Sequence, residues 1–274
     1  MTPYARPDTI DEALTLLASG DWRALAGGTD VYPGAASALP GPVLDLGRLD
    51  DLRGIKTGGG LRIGAMTTWA EIAETSLPPA FAALQQAARR IGARQVQNVG
   101  TIGGNLCNAS PAADGVPPLL VLDAEVELVS TSGSRRMLLQ DFLQGPRRTA
   151  KKADELLVAV HIPSAAMAGR SAFIKLGARA HLVISIAMVA ARVVVAKDRI
   201  ESVAIAVGAC SPVARRLPLV EAALTRAPLG QRVDRVRPED VAAALAPLSD
   251  VRATADYRLA AATELVRRVI GELA

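Results

Sequence analysis

Two glycine pairs constrain this chain more than any other feature. The first sits in Ala26-Gly27-Gly28-Thr29-Asp30-Val31, behind a short apolar run that reads as a strand over residues 22–26. The second sits in Thr101-Ile102-Gly103-Gly104-Asn105, the core of the longer stretch 95–114. Paired glycines permit positive φ and close backbone approach, so successive N–H groups can converge into a nest for an anion. An ordinary turn uses the same residues, and one pair alone decides nothing. Two pairs with similar flanks say more, because two such loops can grip one pyrophosphate between them. Neither matches the common nucleotide fingerprints: no Gly-Lys-Ser/Thr follows, and no G-x-G-x-x-G opens a helix. A phosphate-holding scaffold of another kind is required.

The chain's own side chains offer little chemistry. Cys107 and Cys210 are the only cysteines, too few for the four thiolates of an iron–sulfur cluster. His161 and His181 have no partner at metal-ligand spacing, and there is no Gly-x-Ser-x-Gly elbow. The formal charge of +4 is spread out, and aromatic residues make up only 3%, which argues against a nucleic-acid surface. No apolar h-region follows Met1-Thr2-Pro3, and the longest apolar run, 182–191, is too short to span a bilayer. A cytoplasmic protein with no nucleic-acid or membrane partner is expected. The hard chemistry then belongs to a cofactor, which the chain binds and orients.

Along the chain, Asp8 reads as the N-cap of a helix carrying Ile10, Ala13, Leu14 and Leu17 at helical spacing. A strand over 43–46 completes a small lobe. Gly58-Gly59-Gly60 marks a turn, followed by a strand over 61–65 and a capping box, Thr68 with Glu71. The next helix starts at Pro79, turns Phe81, Leu84, Ala88 and Ile91 inward, and stops at Gly92. Residues 124–139 read as a hairpin and 155–163 as a further strand. Beyond a boundary at 163–169 come a Val- and Ile-rich hairpin, 183–196 with 200–210, and helices over 217–225, 238–247 and 254–270. Such a sheet covered by helices is an α+β layer.

The AGGTD stretch (Ala26 to Asp30) and the TIGGNLCNASPAAD stretch (Thr101 to Asp114) resemble the FAD-binding medium subunits of the molybdenum hydroxylases. Asp45-Leu46, Ile63-Gly64-Ala65, Phe173-Ile174-Lys175 and Tyr257-Arg258 extend the resemblance along the chain. That family includes carbon monoxide dehydrogenase, nicotinate dehydrogenase and the separate flavin subunit of bacterial xanthine dehydrogenases. The resemblance implies an α+β fold: a two-lobed FAD-binding domain of the PCMH or vanillyl-alcohol-oxidase type over 1–166, with lobes of about 1–57 and 58–166. A smaller α+β C-terminal domain of the carbon monoxide dehydrogenase flavoprotein type would occupy 167–274. It further implies molybdopterin on a large partner subunit, [2Fe-2S] clusters on a small one, and FAD here passing electrons to NAD or another acceptor.

On that resemblance the cofactor residues are Ala26, Gly27, Gly28, Thr29, Asp30 and Val31, then Thr101, Ile102, Gly103, Gly104, Asn105, Ser110 and Asp114. Asp114 would accept from ribityl or ribose hydroxyls, although the same residue could cap the helix that Pro117-Pro118 announces. Ile91, Leu157 and Lys175 fall at positions facing the flavin in the family. As bare sequence features, the first two are core residues and the third a strand-edge lysine. Cys107 reads as packing, and no catalytic or metal-ligating residue is assigned. The alternative is a self-contained flavin oxidase or reductase of the same fold superfamily, which would need its own substrate pocket. The cysteine-rich insertion of the hydroxybenzoyl-CoA reductase branch is missing.

Overall fold

Short parallel strands tied by one amphipathic helix build the first lobe. β1 (Tyr4–Ala5) leads into α1 (Ile10–Ser19), then β2 (Arg23–Leu25) and β3 (Val43–Asp45), and the strands pair in the order β1-β3-β2. Thr9 caps α1, its hydroxyl accepting from the Glu12 N–H, while the expected cap Asp8 sits one residue too early to reach that donor. Ala13, Leu14 and Leu17 pack on Leu44, Leu46 and Leu156. The computed structural model describes residues 3–35, 39 and 41–273; Met1 and Thr2, which open the stretch without an h-region, lie outside the described residues.

In the second lobe β4 (Ile55–Thr57) and β5 (Gly60–Gly64) are joined at Gly59, whose φ of +64° favours glycine. α2 (Trp69–Glu74) starts on the expected capping box of Thr68 and Glu71. Pro79 opens a single 3₁₀ turn, and α3 (Ala82–Ala88) ends early, leaving Ile91 in the turn that Gly92 (φ +56°) completes. α4 (Arg94–Val99), α5 (Ile102–Asn108) and α6 (Val116–Val121) follow, then β6 (Glu125–Ser130), β7 (Gly133–Leu138), α7 (Leu139–Phe142), β8 (Leu143–Gly145), β9 (Arg148–Thr149) and β10 (Leu156–Pro163). The antiparallel sheet runs β4-β5-β10-β6-β7, so the latest strand occupies its centre. Ile63, Val126, Leu157 and Val160 lie in the main core with Phe81, Leu84, Ile102 and Leu119.

Glu155, just ahead of β10, grips Arg135 of β7 at 2.6 and 2.8 Å and accepts from the Lys152 N–H at 2.7 Å. The Arg135 guanidinium, helped by that N–H, holds the Glu155 carboxyl below the usual carboxylate range. A lowered folded-state pKa adds stability above the unfolded value and loses it as pH falls through the folded one. Because Arg135 is partly solvated, Glu155→Gln should cost about 1 kcal/mol at neutral pH. Urea unfolding should show the two proteins converging once the pH is taken well below about 4.

The C-terminal part is a sheet in sequential antiparallel order: β11 (Arg170–Leu176), β12 (Ala187–Ala196), β13 (Arg199–Gly208) and β14 (Arg215–Arg216). The long hairpin turns at Lys197 and Asp198, both with positive φ as a two-residue connection demands. Its first strand begins later than the Val and Ile pattern suggests, leaving a loop between β11 and β12. α8 (Pro218–Leu224), the short α9 (Pro238–Ala242) and α10 (Ala255–Glu272) cover one face. α10 buries Ala262, Leu265, Val266, Val269 and Ile270, and also the charged Arg258.

Two arginines of this sheet hook onto α6. Arg192 Nε donates to the Val121 carbonyl at 2.7 Å and Arg216 Nη1 to that of Leu120 at 3.1 Å, and both pair with Asp123. Cations thus satisfy carbonyls at a helix C-terminus, where the dipole favours them. Among the described residues, no helix is long and apolar enough to cross a membrane.

Candidate functional site

The first glycine stretch leaves β2 and passes against the end of α4. A Cβ built on Gly27 would lie 1.8 Å from the Val99 carbonyl oxygen, so close approach requires glycine there. At Gly28 the reason is conformational, φ being +68° with the Tyr32 ring packed over it. The Val31 and Tyr32 N–H groups return to the Gly28 carbonyl at 3.0 and 2.9 Å. Among the described residues, the N–H groups of Gly27, Gly28, Thr29 and Asp30 find no acceptor in the protein. Consecutive unpaired donors in a partly buried turn are the donor set an anion takes up.

The second pair is no loop, which corrects the expectation of a second nest. Thr101 caps α5, accepting from the Gly104 N–H at 3.1 Å, and Gly103 and Gly104 form the helix's first turn without positive φ. The Ile102 N–H goes to the Thr67 carbonyl, Gly103 to Ala65 and Asn105 to Thr101, at 3.0, 2.8 and 3.0 Å. Given a cap and two acceptors from the chain beyond β5, the helix outcompetes the nest. Gly103 is small because a Cβ would meet Ala65 at 2.7 Å, whereas one on Gly104 would face the Ala26 Cβ at 3.8 Å. The two segments therefore meet, Gly27 on Val99 and Ala26 towards Gly104.

Between them lies a cavity of about 260 Å³ lined by Leu25, Ala26, Gly27 and Thr101, and by residues that sequence reasoning missed: Tyr32, Asp45, Gly47, Arg53, Met66, Thr68, Asn98 and Val99. Asn98 and Val99 had a signal, their adjacency to the second segment; the rest converge from different elements and carry none. Asp45 is held by the Tyr4 hydroxyl, Arg6 and the Gly47 N–H. Arg53, on the wall, reaches the Gly47 and Met66 carbonyls at 3.5 Å and pairs with the exposed Asp50 at 3.8 Å. Asn105 keeps a buried Oδ1 with no donor among the described residues, an acceptor that a cofactor hydroxyl or N–H would satisfy.

The other expected site residues gather elsewhere. Gly115, not Asp114, takes the N-cap position of α6. Asp114 is buried, with Lys175 Nζ on Oδ2 and Ser185 Oγ on Oδ1, each at 2.5 Å. Lys175 is accordingly no solvated edge lysine; its side chain is 9% exposed. Burial pushes the Asp114 carboxyl up, opposed by Lys175, Ser185 and the more distant Arg90. Arg90 precedes Ile91, which is half-buried and packed against the main core. Ser110 lies in the turn after α5, its Oγ accepting from the Ala112 N–H at 3.3 Å, and Leu157 is enclosed in the core. None of Ile91, Ser110, Asp114, Leu157 and Lys175 lines the cavity. Cys107 packs on the core, burial pushing its thiol up to about 11. Among the described residues, no group of three or more His, Cys, Asp or Glu is placed to hold a metal ion.

Residues 1–165 match the family model described as the FAD binding domain in molybdopterin dehydrogenase, and residues 172–273 that of the CO dehydrogenase flavoprotein C-terminal domain. The chain is 33% identical over 276 residues to the xanthine dehydrogenase FAD-binding subunit of Escherichia coli O157:H7, covering 98% of this chain and 94% of the relative. To the nicotine 6-hydroxylase medium subunit of Paenarthrobacter nicotinovorans it is 34% identical over 275 residues, covering 98% and 96%. A chain of the carbon monoxide dehydrogenase from Hydrogenophaga pseudoflava which lacks the Mo-pyranopterin moiety superposes with a TM-score of 0.90 at 29% identity, over 99% of this chain and 96% of that one. With agreement along both parts of the fold, this chain belongs to the FAD-binding medium subunits of the molybdenum hydroxylase family.

Proposed function

We propose that the chain holds one FAD across its two glycine segments and hands electrons from the iron–sulfur clusters of a partner subunit to NAD or another acceptor. The observation that carries this reading is the run of unpaired N–H groups from Gly27 to Asp30 beside the cavity wall of Thr101. These donors take the pyrophosphate, with Arg53 close by to offset its charge. Thr101 stands on the opposing wall, and Ile102, Gly103 and Gly104 behind it set the first turn of α5 that holds this wall close to Ala26. Asn105 and Asp114 accept from cofactor hydroxyls, Ser110 borders the same turn, and Ile91, Leu157 and Lys175 back the flavin side. Bound FAD supplies the exchange of electrons both singly and in pairs. The two cysteines, each with its thiol pushed up to about 11 by burial, are poor thiolate ligands. Molybdopterin and [2Fe-2S] clusters accordingly belong to a large and a small partner subunit.

The test is to purify the chain alone, load it with FAD and offer heterocycles and aldehydes with and without those partners. Substrate oxidation should appear only with both partners present, while reduction of a simple acceptor survives in isolation. Sustained turnover of an organic substrate by the isolated, metal-free chain would favour the self-contained flavoenzyme instead.

A further inference from the structure

Ser185 lies outside every stretch the glycine segments point to, yet its side chain is 2% exposed and its hydroxyl donates to Asp114 Oδ1 at 2.5 Å. Lys175 Nζ holds Oδ2 of the same carboxylate at 2.5 Å. Both oxygens of this one group, which belongs to the stretch after α5, are therefore held from the C-terminal sheet. The two contacts come from the feet of the loop joining β11 to β12. An Ile186 N–H bond to the Leu176 carbonyl at 2.8 Å pins those feet together, and Arg258 Nη1 holds the Ile186 carbonyl at 2.6 Å from α10. The backbone that carries the hydroxyl is thus pinned at the next residue, Ile186. Each carboxylate oxygen has two lone-pair positions, so both keep one for a further donor.

We propose that Ser185 is a positioning residue for the cofactor: it fixes the plane of the Asp114 carboxylate, so that the remaining lone pairs meet the hydroxyls of FAD. This rests on the FAD reading above. The groups that act on Asp114 are Lys175 on β11, Ser185 ahead of β12 and Arg90 after α3, all of them opposing the effect of burial. A hydroxyl that donates to a carboxylate favours its charged form. Without it, burial is opposed by two cations alone, and the carboxyl takes up a proton at higher pH. A protonated Asp114 no longer makes charge-assisted bonds, so cofactor affinity falls as pH falls.

The test measures FAD affinity of the full apo chain by flavin fluorescence from pH 5.5 to 8.5, for the native protein, Ser185→Ala and Ser185→Thr. Native affinity should hold to a lower pH than that of Ser185→Ala. Ser185→Ala should bind about tenfold more weakly at pH 6 and recover towards the native value at pH 8.5. Ser185→Thr, which keeps the hydroxyl, should follow the native profile. The comparison within one variant across pH separates positioning from a general loss of packing, which weakens binding equally at all values. A Ser185→Ala profile parallel to the native one overturns the assignment. A native chain that takes up no FAD at any pH overturns the FAD reading itself, and this assignment with it.

Discussion

Gly27→Ala is expected to give a chain that melts far below the native one and is purified without flavin. The added methyl falls 1.8 Å from the Val99 carbonyl oxygen and 2.5 Å from its carbon. Both are backbone atoms, so no rotamer relieves the contact. The first segment must instead move off α4, which opens the cavity and draws the unpaired donors away from Thr101. Overpacking against yielding side chains costs about 1–3 kcal/mol, and a backbone clash belongs at or above the top of that range. Thermal melting and flavin absorbance read the two effects separately. Gly58→Ala is the control, since no described heavy atom lies within 4 Å of its added Cβ, and it should behave as native. Full flavin content in Gly27→Ala would refute the pyrophosphate assignment. Gly103→Val would report on packing rather than on the pyrophosphate, because its Cβ would strike Ala65.

Lys175→Met should be the most damaging change at the junction of the two sheets. Its ammonium and the Asp114 carboxylate are 9% and 7% exposed, and removing one member of a buried pair costs about 3–5 kcal/mol. The sign of the pH dependence follows from burial. The folded-state pKa of Asp114 is already raised, so its contribution to stability is present at low pH and lost as pH rises through that value. Loss of Lys175 raises it further, so the variant should be hurt more at pH 8 than at pH 5 in urea unfolding. Asp114→Asn combined with Lys175→Met should recover much of the stability without the FAD affinity. A defect in Lys175→Met that is the same at both pH values would mean that the carboxylate does not feel this lysine. By the resemblance Asp114 is a hydroxyl acceptor; its burial against Lys175 and Ser185 makes it a structural group as well.

Much of this was legible before any coordinates. The capping box of Thr68 and Glu71 and the long C-terminal hairpin arise from contacts within a few residues, and local pattern specifies those. The two glycine stretches were also legible as a pair, and they do meet. Their division of labour was not. Gly27-Gly28 keeps its donors free because nothing nearby accepts them, whereas Gly103 and Gly104 enter a helix because Thr101 caps it and Ala65 and Thr67, from the end of another strand, take its first donors.

Composition and periodicity also could not place Arg53 and Tyr32 on one cavity wall, or set Ser185 and Lys175 on the two oxygens of Asp114. The glycine pairs, the caps and the alternation of strands are properties of neighbouring residues, and the sequence alone determined them. Which donors stay unpaired and which carboxylate is buried were decided only by the tertiary structure, because desolvation and competing acceptors come from segments far away along the chain.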